Sequence, residues 1–289
     1  MKETPSIAVI IPSYSSRPLI GATLRSLFLQ DVEETFEVVV VDSSPDDTAD
    51  WIRGEFPSVK VLHSPQRLLP GAARNRGVQA TRARLLAFLD ADATARPDWL
   101  KILLGRLRQD GIRAAGGSVD NANPESPVSR MLYWIEFSEF APGLPSGPRW
   151  ALPSCNFVIP RRDFERAGGF EEKTAMSEDQ IFCLALGEGI FFESSTGVLH
   201  RQREALPQAL DHLRRLGLWS GRLRRRFKVP GWRLRRFPAA AWLLLPLRAW
   251  RIWRRARRSR APLKRGDLPL LGRGLTHWCR GFRQGLREI

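Results

Sequence analysis

The sequence predicts an α/β fold, a mostly parallel sheet with helices on both faces, followed by a basic helical region. A continuous apolar, β-branched run at 7–11 and another at 38–41 have the pattern of strands buried on both faces, and 59–62 and 85–89 read as a third and a fourth strand. Segments with helical spacing alternate with them, at 18–30, from 44, at 71–80 and at 97–107, and this alternation implies parallel pairing. Charge then divides the chain. Its 289 residues carry a formal +16, yet residues 201–289 hold 25 Lys/Arg against 4 Asp/Glu, while the first 200 hold 21 against 26. A net of −5 in front and +21 behind points to a tail that meets something anionic.

Each element has its own local reason. Leu19, Ile20, Leu24, Leu27 and Phe28 give the first helix an apolar stripe. Ser44-Pro45-Asp46-Asp47 reads as a helix start, with a capping serine, proline at the first position and acids in the first turn. The middle is less regular. Stretches 121–127 and 142–148 are Pro- and Gly-containing loops, 155–159 a strand, and 178–186 a helix. The expected division is a first domain over 1–204, with halves at about 1–110 and 111–204, and a second region over 205–289.

Other features bound the class. Cys155, Cys183 and Cys279 are too few and too scattered for a disulfide framework, which fits a reducing compartment. The polar start, residues 1–6, is not a signal peptide. The longest charge-free apolar stretch of the tail, 237–247, is about half the ~20 residues a spanning helix needs.

Ligands of such sheets bind beyond the carboxyl ends of the strands. Asp42 ends the second strand and Asp90-Ala91-Asp92 the fourth. Two carboxylates one residue apart can turn toward one Mg²⁺ or Mn²⁺, or simply make a turn. Asp42 equally suits a helix cap. Gly71-Ala72-Ala73-Arg74-Asn75-Arg76-Gly77 opens a helix whose N-terminus favours anions. There Arg74 either reaches a phosphate or stays a solvated charge. In Ser177-Glu178-Asp179 the acids suit the helix dipole, and Asp179 alternatively enters the crevice as a general base. His200 ends a short apolar strand, 197–199, as a structural residue or a metal ligand.

Together these segments resemble the family 2 glycosyltransferases, which have the GT-A fold, over roughly residues 5–200. The matching stretches are Val9-Ile10-Ile11-Pro12-Ser13-Tyr14, Leu24-Arg25-Ser26-Leu27-Phe28-Leu29-Gln30, Val40-Val41-Asp42-Ser43-Ser44 and Gly71 to Gly77. They continue through Phe88-Leu89-Asp90-Ala91-Asp92, Arg161-Arg162, Gly168-Gly169-Phe170-Glu171-Glu172 and Ser177-Glu178-Asp179. Ser43 and Ala93 stand where the family often has further acids. The resemblance implies that Pro12, Tyr14 and Asp42 border the base and ribose of a nucleotide, with Arg74 on the donor side. It implies that Asp90 helps hold ribose and metal, that Asp92 and His200 ligate Mn²⁺ or Mg²⁺, and that Asp179 is the catalytic base. The implied activity is inverting transfer from a nucleotide-sugar donor to a hydroxyl of a lipid-linked or envelope-glycan acceptor. A UDP-sugar is the expected donor, with other nucleotides open. The nucleotide-sugar half would be 1–110 and the acceptor half 111–204.

In the tail, Arg248, Arg251, Arg255 and Arg258 share one helical face, and Trp242, Ala249, Trp253 and Ala256 another. Preceded by the apolar 239–245, this reads as an interfacial helix with arginines toward anionic headgroups. The expected location is peripheral, at the cytoplasmic face of a membrane. Nucleic-acid binding is disfavoured by the acidic front and the absence of a recognised module. A catalytically inactive, membrane-bound relative is disfavoured by the joint retention of Asp90, Asp92, Asp179 and His200. A nucleotidyltransferase would need a glycine-rich activating loop after Ile11.

Overall fold

The computed structural model describes residues 5–261 and 263–288, so the polar start of the chain lies largely outside the described residues. The chain begins β1 (Ile7–Ser13), α1 (Arg17–Leu27), β2 (Phe36–Asp42), α2 (Thr48–Glu55), β3 (Lys60–His63), α3 (Pro70–Gln79), β4 (Leu85–Leu89), β5 (Ala93–Ala95) and α4 (Trp99–Leu107). It continues β6 (Ala114–Asn121), α5 (Pro127–Phe137), β7 (Gly147–Pro148), β8 (Asn156–Pro160), α6 (Arg161–Arg166), α7 (Glu178–Leu186) and β9 (Ile190–His200). The helices α8 (Leu206–Arg226), α9 (Leu244–Ala256) and α10 (Leu268–Arg287) follow, with short 3₁₀ turns between them. Contacts divide the chain into two compact units, Met1–Val119 with Pro145–His200, and Asp120–Leu144 with Arg201–Ile289.

The first unit is built on a sheet of order β3-β2-β1-β4-β8-β6-β9-β5, with β7 on β9. The sheet is mixed rather than mostly parallel. The β1–β2, β1–β4 and β2–β3 pairs are parallel, whereas β4–β8, β6–β8, β5–β9 and β7–β9 are antiparallel. Only strand–helix–strand crossovers enforce parallel pairing, and the sequence loses that alternation after β4. In β1 every residue except Pro12 is buried, as a strand covered on both sides requires. α3 lies close on β1, because a Cβ at Gly77 would meet Ile10 Cγ2 at 2.5 Å. A cluster of Phe88, Phe157, Phe164, Phe170 and Phe182, with ring centroids 4.9–5.9 Å apart, fixes α7 by its first turns.

The start of α2 differs from the sequence reading. Ser44 is no cap, because its hydroxyl donates to Asp42 Oδ1 (2.6 Å) and accepts from the Ser15 N–H (2.7 Å). Asp46 instead accepts from the Thr48 N–H at 3.0 Å, and the helix begins at Thr48.

The second unit centres on α8 and α10, which touch backbone to backbone. A Cβ on Gly217 would lie 2.0 Å from Trp278 O, and one on Gly281 1.8 Å from Arg214 O, so only glycine admits this approach. α5 joins them through Met131 and Ile135, which pack against Gly274 of α10. Inside this unit Arg130 forms a buried two-pronged pair with Asp267, at 2.6 and 2.8 Å. Residues 120–144, read from sequence with the first domain, therefore pack with the C-terminal helices.

The orientation of α9 is also corrected. Arg248 lies over Trp278 (3.9 Å to the ring centroid) and donates to Ile135 O (3.1 Å). Arg255 pairs with Glu139 at 2.7 Å. These two arginines face the protein, because a backbone carbonyl, a ring and a carboxylate offer them partners. The exposed side of α9 and the turn before it shows Leu243 (73% exposed), Leu247, Trp250 (51%) and Trp253. Among the described residues no helix is long and apolar enough to cross a membrane.

Candidate functional site

Strand register assembles the site. The pairs Ser13↔Asp42 and Asp42↔His63 put three polar side chains in one row at the carboxyl ends of β1, β2 and β3. Asp42 is 0% exposed. Its Oδ1 accepts from Ser13 Oγ (2.6 Å) and Ser44 Oγ (2.6 Å), and its Oδ2 from the Ser44 N–H (3.1 Å), with His63 Nδ1 at 3.2 Å. A nucleotide base would meet Asp42 only by displacing one of these partners. Pro12 is partly buried near the end of β1, and Tyr14 is exposed beyond it with the Arg67 guanidinium 4.1 Å from its ring centroid. Ser15, next in the turn, has a left-handed φ of +50°.

β4 leads into Asp90. Arg74, one turn before Gly77 on α3, is 2% exposed and donates to Asp90 Oδ1 (2.6 Å) and to Glu178 Oε1 (2.7 Å). Burial opposes its charge, but the Asp90 and Glu178 carboxylates outweigh burial and raise its pKa above the ordinary arginine value. Arg74 is thus a strut between the DxD turn and the start of α7, not a solvated cation. Its Nε is buried with no hydrogen-bond partner among the described residues.

The β5–β9 register sets His200 opposite Ala93, next to Asp92, and His200 Nε2 lies 3.4 Å from Asp92 Oδ1. The β4–β8 register, Leu89↔Asn156, likewise sets Cys155 beside Asp90. One ligand atom from each of Asp90, Cys155 and His200 lies within 4.8 Å of the others. Carboxylates, an imidazole and a thiol around one point fit a divalent transition ion.

Asp179 stands in the first turn of α7, three residues before Phe182 of the aromatic cluster and so on the inner face of that helix. It is partly buried and accepts from the N–H groups of Gln180 (2.7 Å) and Ser154 (3.4 Å). Burial, then the charge of Glu178, pushes its carboxyl up to about 7, against the opposing pull of those N–H groups and Arg74. Ser177 before it holds a left-handed φ of +70°, a strain that side-chain-bearing residues seldom adopt. Ser177 Oγ and Gln180 Oε1 are buried without partners in the described structure, leaving polar capacity beside Asp179.

The structure therefore gathers Arg74, Asp90, Asp92, Asp179 and His200, and sets Asp42 apart from them in the row with Ser13 and His63, with Pro12 near the end of β1 and Tyr14 just beyond it. Sequence reasoning missed Glu178 as the partner of Arg74, His63 and Ser13 as partners of Asp42, and Cys155. The signal for Cys155 was present. Had the 155–159 strand been paired antiparallel with 85–89, Cys155 would have fallen opposite Asp90.

A cluster of side chains able to hold a cation, beside a carboxyl raised toward neutrality, suits metal-assisted group transfer. The sequence narrows that class. Residues 8–168 match the profile of Glycosyl transferase family 2, and the chain belongs to that family of glycosyltransferases. It is 29% identical over 236 residues to the succinoglycan biosynthesis protein ExoO of Rhizobium meliloti (strain 1021), covering 73% of this chain and 66% of that protein. It is 32% identical over 226 residues to the pre-mycofactocin glycosyltransferase of Mycobacterium tuberculosis (strain ATCC 25618 / H37Rv), covering 74% and 46%. The chain thus spans under two thirds of these curated relatives. In fold it is similar to the mannosyltransferase PcManGT from Pyrobaculum calidifontis, solved in complex with GDP-Man and Mn²⁺. That likeness has a TM-score of 0.60 at 18% identity, covering 96% of this chain and 86% of that one. S. aureus TarS, solved with UDP-GlcNAc, gives 0.54 at 20% identity, covering 74% and 66%. The GT-A expectation for the fold is met.

Proposed function

We propose that this chain moves a sugar from a nucleotide-diphosphate donor to an acceptor hydroxyl, with inversion and with a divalent cation. The observation that carries the reading is the gathering of Asp90, Asp92 and His200 beside a partly buried carboxylate, Asp179, held near neutrality. Pro12, Tyr14 and Asp42 border the nucleotide, and Arg74 braces the donor side. Asp90, Asp92 and His200 hold Mn²⁺ or Mg²⁺, whose chemistry when bound is to offset the charge of the departing diphosphate. Asp179 accepts the proton of the attacking hydroxyl. The new C1–O bond forms as the C1–O bond to the diphosphate breaks, and no enzyme nucleophile is needed. The relatives named for succinoglycan biosynthesis and for pre-mycofactocin glycosyl transfer, and the UDP-GlcNAc and GDP-Man bound by the fold neighbours, support a nucleotide-sugar donor. A panel of nucleotide sugars with Mn²⁺ tests it. One donor should release nucleoside diphosphate well above the others, and a flat panel would sink the reading.

We also propose that the second unit rests on an anionic lipid surface at the cytoplasmic face. Support comes from exposed Leu243, Leu247, Trp250 and Trp253, with Arg254 and Arg257 stacked 4.9 Å over Trp250 and Trp253. Each basic residue near such a surface is worth about 1 kcal/mol. The chain should sediment with anionic vesicles and be only partly released by 1 M salt, where the screening length is ~3 Å. Leu247→Asp with Trp250→Asp should lower sedimentation at least tenfold with an unchanged circular dichroism spectrum. Tight RNA binding without vesicle binding would contradict this placement.

A further inference from the structure

The reaction as read above leaves Cys155 unused. Its position is nonetheless fixed. Asn156, next to it, accepts from Trp99 Nε1 (2.7 Å) and the Gly117 N–H (3.1 Å), and donates to Ser118 O (2.8 Å). The β4–β8 register then sets Cys155 next to Asp90. Cys155 is buried and free. A buried cysteine most often fills space as a small apolar group. Its surroundings here are not apolar: its Sγ lies within 4.8 Å of a carboxylate oxygen of Asp90 and a ring nitrogen of His200. Cys183 and Cys279 are also buried and free, and neither joins a ligand cluster among the described residues.

We propose that Cys155 Sγ is a metal ligand, so that with Asp90 and His200 it makes a sulfur–nitrogen–oxygen site that favours a thiophilic divalent cation of the zinc and cobalt class over Mg²⁺. The inference rests on the reading of Asp92 and His200 as the ion site. Thiolate sulfur is a soft donor and discriminates against hard ions, whereas two carboxylates and an imidazole alone would accept Mn²⁺ or Mg²⁺. Ligand atoms bound at ~2.0–2.3 Å in a tetrahedron sit roughly 3.3–3.8 Å apart. The three atoms within 4.8 Å of one another would close by about 1 Å on binding. On binding, the Sγ–H proton passes to solvent and the thiolate takes its place on the ion.

The test is titration of the metal-free full chain with Co²⁺, read by absorption, alongside Mn²⁺ binding read by electron paramagnetic resonance. The wild type should show a near-ultraviolet thiolate-to-cobalt charge-transfer band. Cys155→Ser should abolish the band and weaken Co²⁺ roughly 10- to 100-fold, while Mn²⁺ affinity changes little. Cys183→Ser should keep the band. Co²⁺ binding without a band, or a band that survives in Cys155→Ser, overturns the assignment and leaves the Mn²⁺ reading intact. Absence of both Co²⁺ and Mn²⁺ binding overturns the ion site itself. Should Cys155→Ser fail to fold, X-ray absorption of the Co²⁺-loaded wild type decides the matter. A sulfur at about 2.3 Å is expected, and a shell of nitrogen and oxygen alone contradicts the proposal.

Discussion

Asp179→Asn should lower sugar transfer by ~10²–10⁴ while leaving donor affinity within about twofold, the usual size of losing a positioned base. Asparagine keeps one oxygen, enough for the shorter bond from the Gln180 N–H (2.7 Å), and gives up only the longer one from the Ser154 N–H (3.4 Å), so the start of α7 should hold. The wild type should gain kcat/KM about tenfold per pH unit up to about 7 and then level off, because a carboxyl raised to about 7 must ionise before it accepts a proton. The variant should lose that slope. Stability should move the other way. Between the unfolded value of 3.8 and about 7 the folded state binds more proton, so this group destabilises the fold as pH rises through that window. Asp179→Asn should therefore be more stable than wild type by roughly 1–3 kcal/mol at pH 8, allowing for partial exposure, and equal to it at pH 4. Near-normal turnover in the variant would remove Asp179 from the reaction.

Thorough chelation should abolish transfer, and Mn²⁺ should restore it. Three potential ligands converge here, and uncompensated charge on a departing diphosphate costs on the order of 10²–10³ or more in rate. Asp92→Asn and His200→Ala should each raise the Mn²⁺ concentration for half-maximal rate by at least about tenfold. Asp92 stands in the turn before β5 and His200 at the end of β9, and the β5–β9 register brings them together, so a shared effect reports a shared ion. Full turnover after chelation would end the metal reading.

The strength of local signals explains what was legible in the sequence. Continuous apolar runs marked β1, β2 and β4 to within a few residues, because a strand buried on both faces admits little else, and Val59, Val61 and Leu62 marked the more exposed β3. Helix α7 was read at its true bounds, Glu178–Leu186, since its acids and apolar run agree. Strand direction beyond β4 was not legible, because pairing there is set by long-range register rather than by a crossover helix. For the same reason Cys155 was missed and His200 was read without its neighbour Ala93. Helix α5 hid between proline- and glycine-containing stretches. Ser44 looked like a cap because capping and carboxylate binding ask for the same hydroxyl. Arg74 looked solvated because its partner Glu178 is 104 residues away. In the tail, periodicity showed that α9 has two faces but not which one the protein covers.

The most direct measurement of the central claim is the anomeric configuration of the first product, followed by proton nuclear magnetic resonance with the donor the panel selects. Single displacement with Asp179 as base predicts that an α-linked nucleotide sugar gives a β-linked product from the earliest time point. An α-linked product would require a second displacement or a front-face path, and would contradict the account.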